Sequence, residues 1–253
     1  MSGDHLGEPD PKIAPVHLTA AYELVVEQIR RAIDLGLFLP GQKLPPERDL
    51  AEQMSVSRST IREAVRVLVA DGILSVRRGA SGGLIVNNVH TRDPEELRVY
   101  AKRKRVELND IFDFRIVVEQ ATASFAAQRR GDDNLAVMRT ALAAMEEAIA
   151  ASSAEDDDPD PIAAFNAADT SFHMEIARAS KNPHLLKSVE AIRRAMFLPV
   201  GGVFIKLRKD ANAMHEPLYN AIADRDAARA AEIMAEHVQA TRRAMMEFLD
   251  GKR

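Results

Sequence analysis

The chain has 253 residues, 46% of them hydrophobic and 28% charged, with a formal net charge of −4 and no cysteine. That length allows one large domain or two smaller ones with a real core. The lack of cysteine excludes disulfides and thiolate metal sites and points to the cytoplasm, and no run of about 18 apolar residues occurs, so no membrane span is expected.

Residues 1–15 are polar, contain proline and lack an apolar stretch, so they read as a disordered leader rather than a signal peptide. Tyr22, Val25, Val26, Ile29 and Ile33 then recur at helical spacing, with Thr19 as N-cap and Gly36 as terminator. Pro40-Gly41 is a turn. A second helix is expected from Pro46 to about Met54, with the proline in its first turn and Leu50 and Ala51 facing inward. Ser57 caps a third helix running to about Ala70, whose buried stripe is Ile61, Ala64, Val65 and Leu68. Ile73–Val76 and Leu84–Val86 are short strand patterns around a glycine-rich hairpin tip, Arg78–Gly83. Two short helices followed by a hairpin are the layout of a winged helix-turn-helix, placed at residues 16–88.

The acidic net charge argues against nucleic acid until the charges are located. Residues 43–78 hold Lys43, Arg48, Arg58, Arg62, Arg66, Arg77 and Arg78 against Glu47, Asp49, Glu52, Glu63 and Asp71. Screening confines phosphate attraction to roughly 8–10 Å, so this local excess can serve an acidic body. In a helix-turn-helix the second helix enters the major groove, its first residues on base edges. Arg58 and Arg62 share one face opposite the apolar stripe, and a planar guanidinium suits guanine O6 and N7. Ser57 and Ser59 can reach phosphates or bases from the same end. Arg48 is placed near the backbone or an adjacent base, and Arg77, Arg78 and Gly79 near the neighbouring minor groove. Arg66 is either a phosphate contact or a surface partner of Glu63.

Three segments carry a resemblance: Leu44-Pro45-Pro46-Glu47-Arg48-Asp49-Leu50-Ala51, Ser57-Arg58-Ser59-Thr60-Ile61-Arg62-Glu63-Ala64 and Leu68-Val69-Ala70-Asp71-Gly72. Over roughly residues 19–87 the chain resembles the DNA-binding domain of GntR-family bacterial transcription regulators. The resemblance implies DNA contact by Arg48, Arg58, Arg62 and Gly79, and a homodimer on a pseudo-palindromic double-stranded operator.

Residues 87–94 change character and mark the domain boundary, and 89–106 are taken as a linker and the start of the next unit. Beyond them alanine-rich helical patterns dominate: Leu108–Arg130, Asn134–Ala151, Pro161–Ser180, Pro183–Leu198, Asn212–Asp224 and Ala227–Leu249. The fold class is therefore mainly α, a winged helix-turn-helix followed by an all-helical bundle at 107–250. The acidic run 155–160 lacks calcium-loop spacing and reads as a solvated loop. Pro199-Val200-Gly201-Gly202 is expected to break the helical pattern.

Asp169 and His173 lie four apart on one helix face, and His215 and His237 lie about 9 and 12 residues either side of the Ala223–Asp226 turn. At about 1.5 Å per residue an antiparallel pair brings the two histidines to similar height. Three imidazoles and a carboxylate without thiolate suit zinc, nickel, manganese or iron, with further groups expected to orient the rings. His5, His17, His90 and His184 lack partners at useful spacing.

Asp169-Thr170-Ser171-Phe172-His173, Ala179-Ser180-Lys181-Asn182-Pro183, His215 through Ile222 and Ala230 through His237 together resemble the FCD ligand-binding domain of the FadR-type branch of that family. The resemblance implies that Asp169, His173, His215 and His237 hold a divalent metal, with zinc first among the candidates. It also implies that Arg115, within Phe112-Asp113-Phe114-Arg115-Ile116-Val117-Val118-Glu119, binds the carboxylate of a small effector. Arg115 could instead pair with Glu119 four residues on. The expected protein is a metabolite-responsive repressor and not an enzyme, because no motif places a carboxylate base beside the four ligands. The rival readings are a mononuclear metal enzyme acting on an organic acid, and a regulator whose metal is purely structural.

Overall fold

The computed structural model describes residues 19–79, 82–87, 99, 102–152, 160–201 and 212–251. The expected leader, most of the linker and residues 155–159 of the acidic loop lie outside the described residues, as do His5, His17 and His90; Asp160, expected in that loop, opens a helix. Within them the chain is mainly α: α1 (Ala21–Asp34), α2 (Glu47–Gln53), α3 (Arg58–Ala70), β1 (Leu74–Arg77), β2 (Gly83–Val86), α4 (Arg105–Arg129), α5 (Asp132–Ala151), α6 (Asp160–Ala179), α7 (Pro183–Gly201), α8 (His215–Ala223) and α9 (Ala227–Leu249).

In the N-terminal unit Val25, Ile29 and Ile33 of α1 meet Leu50 and Ala51 of α2 and Ile61, Ala64, Val65 and Leu68 of α3 in one buried cluster. Ser57 caps α3, its Oγ accepting from the Thr60 amide at 3.1 Å. Two other start positions differ from expectation. The N-cap of α1 is Ala20, whose amide donates to the Glu23 carboxylate at 3.3 Å, so the acid inside the first turn substitutes for the missing cap at Thr19. Pro46 is the N-cap of α2 and not a first-turn residue; its carbonyl accepts from Asp49 and Leu50 at 2.9 and 3.0 Å.

β1 and β2 pair antiparallel in the register Leu74↔Val86 to Arg77↔Gly83. A third segment joins them. Lys43 bridges Ile85, Leu44 donates to the Leu84 carbonyl at 2.9 Å, and Val86 donates to that of Gln42 at 3.0 Å. The stretch after the Pro40-Gly41 turn is thus tied to the wing. At the wing tip Gly79 has φ +107°, a backbone conformation that suits glycine.

In the C-terminal unit α4 is central, packing against α6, α7, α8 and α9, while α5 covers α6 and α8. Phe112, Met138, Met145, Phe172, Ile176, Leu218, Ile222 and Met234 fill its core. The helical pattern does not break at Pro199: α7 continues to Gly201. A proline removes one backbone donor but here leaves the residues on both sides of it helical. Residues 202–211 lie outside the described residues.

Candidate metal centre and nucleic-acid interface

α6 supplies Asp169 and His173 from one face, α8 opens with His215, and the middle of α9 supplies His237. One donor atom from each of the four lies within 4.8 Å of all the others. His215 Nε2 is 2.9 Å from Asp169 Oδ1, and His173 Nε2 is 3.6 Å from the same oxygen. Ring centroids are separated by 4.6 Å (His215–His237), 5.2 Å (His173–His237) and 5.8 Å (His173–His215). A cation bonded at about 2.0–2.2 Å to nitrogen and oxygen holds neighbouring donors about 3–3.5 Å apart, a spacing close to the two distances from Asp169 Oδ1. The ring of Phe172 stands edge-on to His173 and His215 and walls the cluster with apolar surface.

The electrostatics favour ligand forms at Asp169, His215 and His237. Burial pushes His237 well below its ordinary value, helped by His215 and His173, and burial lowers His215, so both are neutral imidazoles near pH 7. Burial raises Asp169, but Arg193 and the two neighbouring histidines outweigh it and hold the carboxyl well below its usual range. His173 would be lowered by burial, yet Glu119 and Asp169 bring it above its ordinary value. The chemistry of the donor set fits a divalent metal on a further observation. Nε2 of His173 and Nε2 of His237 are buried with no hydrogen-bond partner. Leaving such atoms unsatisfied costs about 1–3 kcal/mol each, and a cation at the centre of the cluster would satisfy both.

Two residues that the sequence reading did not assign support this cluster. Glu119 Oε2 is 2.6 Å from His173 Nδ1, close enough for charge pairing although the ring is turned out of line for a good hydrogen bond. Arg193 of α7 pairs with Asp169 Oδ2 and donates to Thr170 Oγ1 at 3.2 Å. Glu119 could have been suspected from its i+4 spacing to Arg115; nothing local in the sequence marks Arg193. Arg115 itself is 2% exposed and its Nε donates to Glu119 Oε1 at 2.5 Å, so the intrahelical pair is formed. No sequence motif placed a carboxylate beside the four residues, but the fold does: Glu119 is engaged by Arg115 on one oxygen and faces His173 with the other. Burial raises Glu119, but these two cations hold it far below its usual range.

On the N-terminal unit Arg58, Ser59 and Arg62 are exposed on the solvent side of α3, opposite its buried stripe. Arg62 Nε donates to Glu47 at 3.1 Å, and Arg48 Nε to Asp49 at 3.0 Å. Ser57 is held by its cap and lies 2.7 Å from the Ser59 hydroxyl. Arg78 and Gly79 are exposed at the wing tip, and Arg66 pairs with Glu63 at 2.8 Å on the surface. The structure therefore puts the helix arginines and the wing at the surface of one small unit, while the histidine cluster is buried in the other. His184 is exposed and outside the cluster.

A family model described as "Bacterial regulatory proteins, gntR family" matches residues 21–82, and one described as "FCD domain" matches residues 110–240. The Uxu operon transcriptional regulator of Escherichia coli (strain K12) is 30% identical, over 90% of this chain and 87% of its own length. The Glc operon transcriptional activator of the same strain is 28% identical, over 89% of both. Among solved structures, E. coli McbR/YncC matches with a TM-score of 0.50 at 21% identity, covering 91% of this chain and 99% of that one; this likeness is one of fold.

Proposed function

The chain belongs to the gntR family of bacterial regulatory proteins and carries an FCD domain, and from this premise we propose that it is a transcriptional regulator whose DNA binding depends on a metal-bound organic acid. Asp169, His173, His215 and His237 would hold a divalent metal, zinc before nickel, manganese or iron. The reading is carried by the four-donor cluster, in which Nε2 of His173 and Nε2 of His237 are among the buried nitrogens without a hydrogen-bond partner. When bound, the metal would supply a fixed positive charge for an anionic ligand. Glu119 and Arg193 position His173 and Asp169 around it. Arg115, next to Glu119, would assist recognition of the effector's carboxylate.

In the N-terminal unit Arg58, Ser59 and Arg62 would meet base edges, with Ser57 and Arg48 near the phosphates and Arg78 and Gly79 in the adjacent groove. A homodimer would set two such units on a pseudo-palindromic operator. Repression is the proposed sign, because a protein seated on a promoter blocks it without further contacts. The Glc operon activator, a relative, carries the opposite sign by name. An enzymatic role is disfavoured by Glu119, which is buried, paired with Arg115 on one oxygen and turned to His173 with the other.

The test is metal analysis of protein purified without chelator, followed by titration of small carboxylates into the protein–DNA complex, using DNA selected from a random pool. About one metal per chain, lost in His215→Ala and His237→Ala, together with acid-dependent DNA affinity, is expected. Metal-free protein with acid-independent DNA affinity would defeat the proposal.

A further inference from the structure

α7 faces two ways. Arg193 reaches Asp169 in the histidine cluster. Glu190 and Arg194 reach out of the domain to α1 of the DNA-binding unit. Glu190 accepts from Arg31 through both oxygens, at 2.5 Å from Nε and 2.7 Å from a terminal nitrogen. Arg194 pairs with Glu27 and lies 3.6 Å from Asp34. At 3.6 residues per turn, Arg194 is roughly 40° round the helix from Glu190, and Arg193 roughly 60° to its other side. One rigid helix therefore presents adjoining faces to the candidate metal ligand and to α1. The Arg193–Asp169 pair is shielded, at 10% and 16% exposed; in the two pairs to α1 the α7 side is the more buried, Glu190 at 15% against 43% for Arg31 and Arg194 at 27% against 54% for Glu27, so solvent screens them in part.

The contact continues in both directions. The turn after α1 presses on α6 two residues before Asp169: a Cβ added to Gly36, at φ +72°, would stand 2.7 Å from that of Ala167. That spacing admits only glycine. On its far side α1 packs against α3, and Arg30 pairs with Asp71 at the end of that helix. α1 is thus held at one edge by the recognition helix and at the other by the helix that holds Asp169.

We propose that the Glu190–Arg31 and Arg194–Glu27 pairs are the coupling clamp of this regulator: occupancy of the histidine cluster alters Asp169 and its partner Arg193, shifts α7, and through these pairs resets the pose of α1 and α3. The proposal rests on the metal reading of the cluster given above. It assigns Arg193, Arg194, Glu190 and Arg31 as positioning residues that touch neither DNA bases nor effector.

Zinc alone is the probe. DNA affinity is measured by fluorescence anisotropy on full-length protein, with and without zinc, and zinc affinity by chelator competition with and without DNA. Wild-type protein should show a zinc-dependent change of DNA affinity in the range of about 5–150-fold, and the same factor in reverse. Glu190→Gln with Arg194→Gln should bind zinc normally and bind DNA, while the factor falls to within about twofold of one. The charge exchange Arg31→Glu with Glu190→Arg should restore part of it, which loss of a merely structural contact would not predict. Because the chain has no cysteine, Leu24→Cys and Val137→Cys place two spin labels on one chain, and in dimers formed with an excess of unlabelled protein their distance should change with zinc only when the clamp is intact. Wild-type protein that binds no zinc would overturn the metal reading. Zinc binding with no change in DNA affinity or label distance, or an unaltered response in the Gln variant, would overturn the clamp alone.

Discussion

Replacing Glu119 by Gln separates the two roles that its position gives it. The carboxylate is 1% exposed, with Arg115 Nε 2.5 Å from one oxygen and His173 Nδ1 2.6 Å from the other. The amide removes the counter-charge of a guanidinium that is itself 2% exposed, and breaking a buried pair on one side costs about 3–5 kcal/mol. For a domain of this size about 1 kcal/mol moves the midpoint by roughly 2–4 °C, so metal-free protein should melt about 6–20 °C lower. The second effect concerns the ring. A carboxylate oxygen 2.6 Å from Nδ1 favours a proton on that nitrogen, so that a metal would have to displace a proton only from Nε2, the nitrogen toward Asp169. An amide that keeps its oxygen toward Arg115 turns its NH2 toward Nδ1 and favours the opposite tautomer, with Nε2 protonated and unable to bind metal. Loss of such an orienting partner typically lowers metal affinity about 10–100-fold, or about 1.4–2.7 kcal/mol. Circular dichroism melts of the metal-free protein report the first effect, and zinc competition against a chromophoric chelator reports the second. A midpoint within about 2 °C of wild type and zinc affinity within twofold would refute the reasoning on both counts.

Arg58→Ala and Arg62→Ala should each weaken DNA binding by about 1–3 kcal/mol and relax sequence preference, measured by anisotropy across single-base variants of a selected site; unchanged affinity in both would remove α3 from the base-reading role. Part of the Arg62 effect is offset by its existing pair with Glu47, so the Arg58 change should be the larger. The pH profile offers a third check through Asp34, whose carboxyl is raised by burial despite the opposing Arg194. A carboxyl with a raised folded-state value contributes stability that is full below its unfolded value and is lost as pH rises through the folded one. Asp34→Asn should therefore flatten the stability profile just above the ordinary carboxylate range, and chemical unfolding at several pH values that shows no such flattening would contradict the burial argument.

Much of the fold was legible because helices advertise their faces locally. The stripe Ile61, Ala64, Val65 and Leu68 marked the buried side of α3, and the start and end of α9 are those read from the turn before it and the periodicity within it. Errors concentrated at helix ends, where a single hydrogen bond decides the boundary: Glu23 made Ala20 a workable start for α1, and α7 ran past a proline that spacing rules treat as a stop. In the cluster, Asp169 and His173 could be paired by their spacing alone, and His215 and His237 by counting from a turn. Glu119 was seen as a partner of Arg115 but not as a neighbour of His173.

Residue type and local spacing were enough to name the arginines of α3 as DNA-contact candidates, to divide the chain into a winged unit and a helical one, and to place four candidate metal ligands on three helices. Only the packed structure brought Arg193 onto Asp169 and Arg31 onto Glu190, pairs separated by 24 and 159 residues. Periodicity specifies which side of a helix is apolar, because that depends on 3.6 residues per turn. It carries no information about which charged residue on another helix will stand opposite, because that depends on crossing angles and offsets set by the whole core.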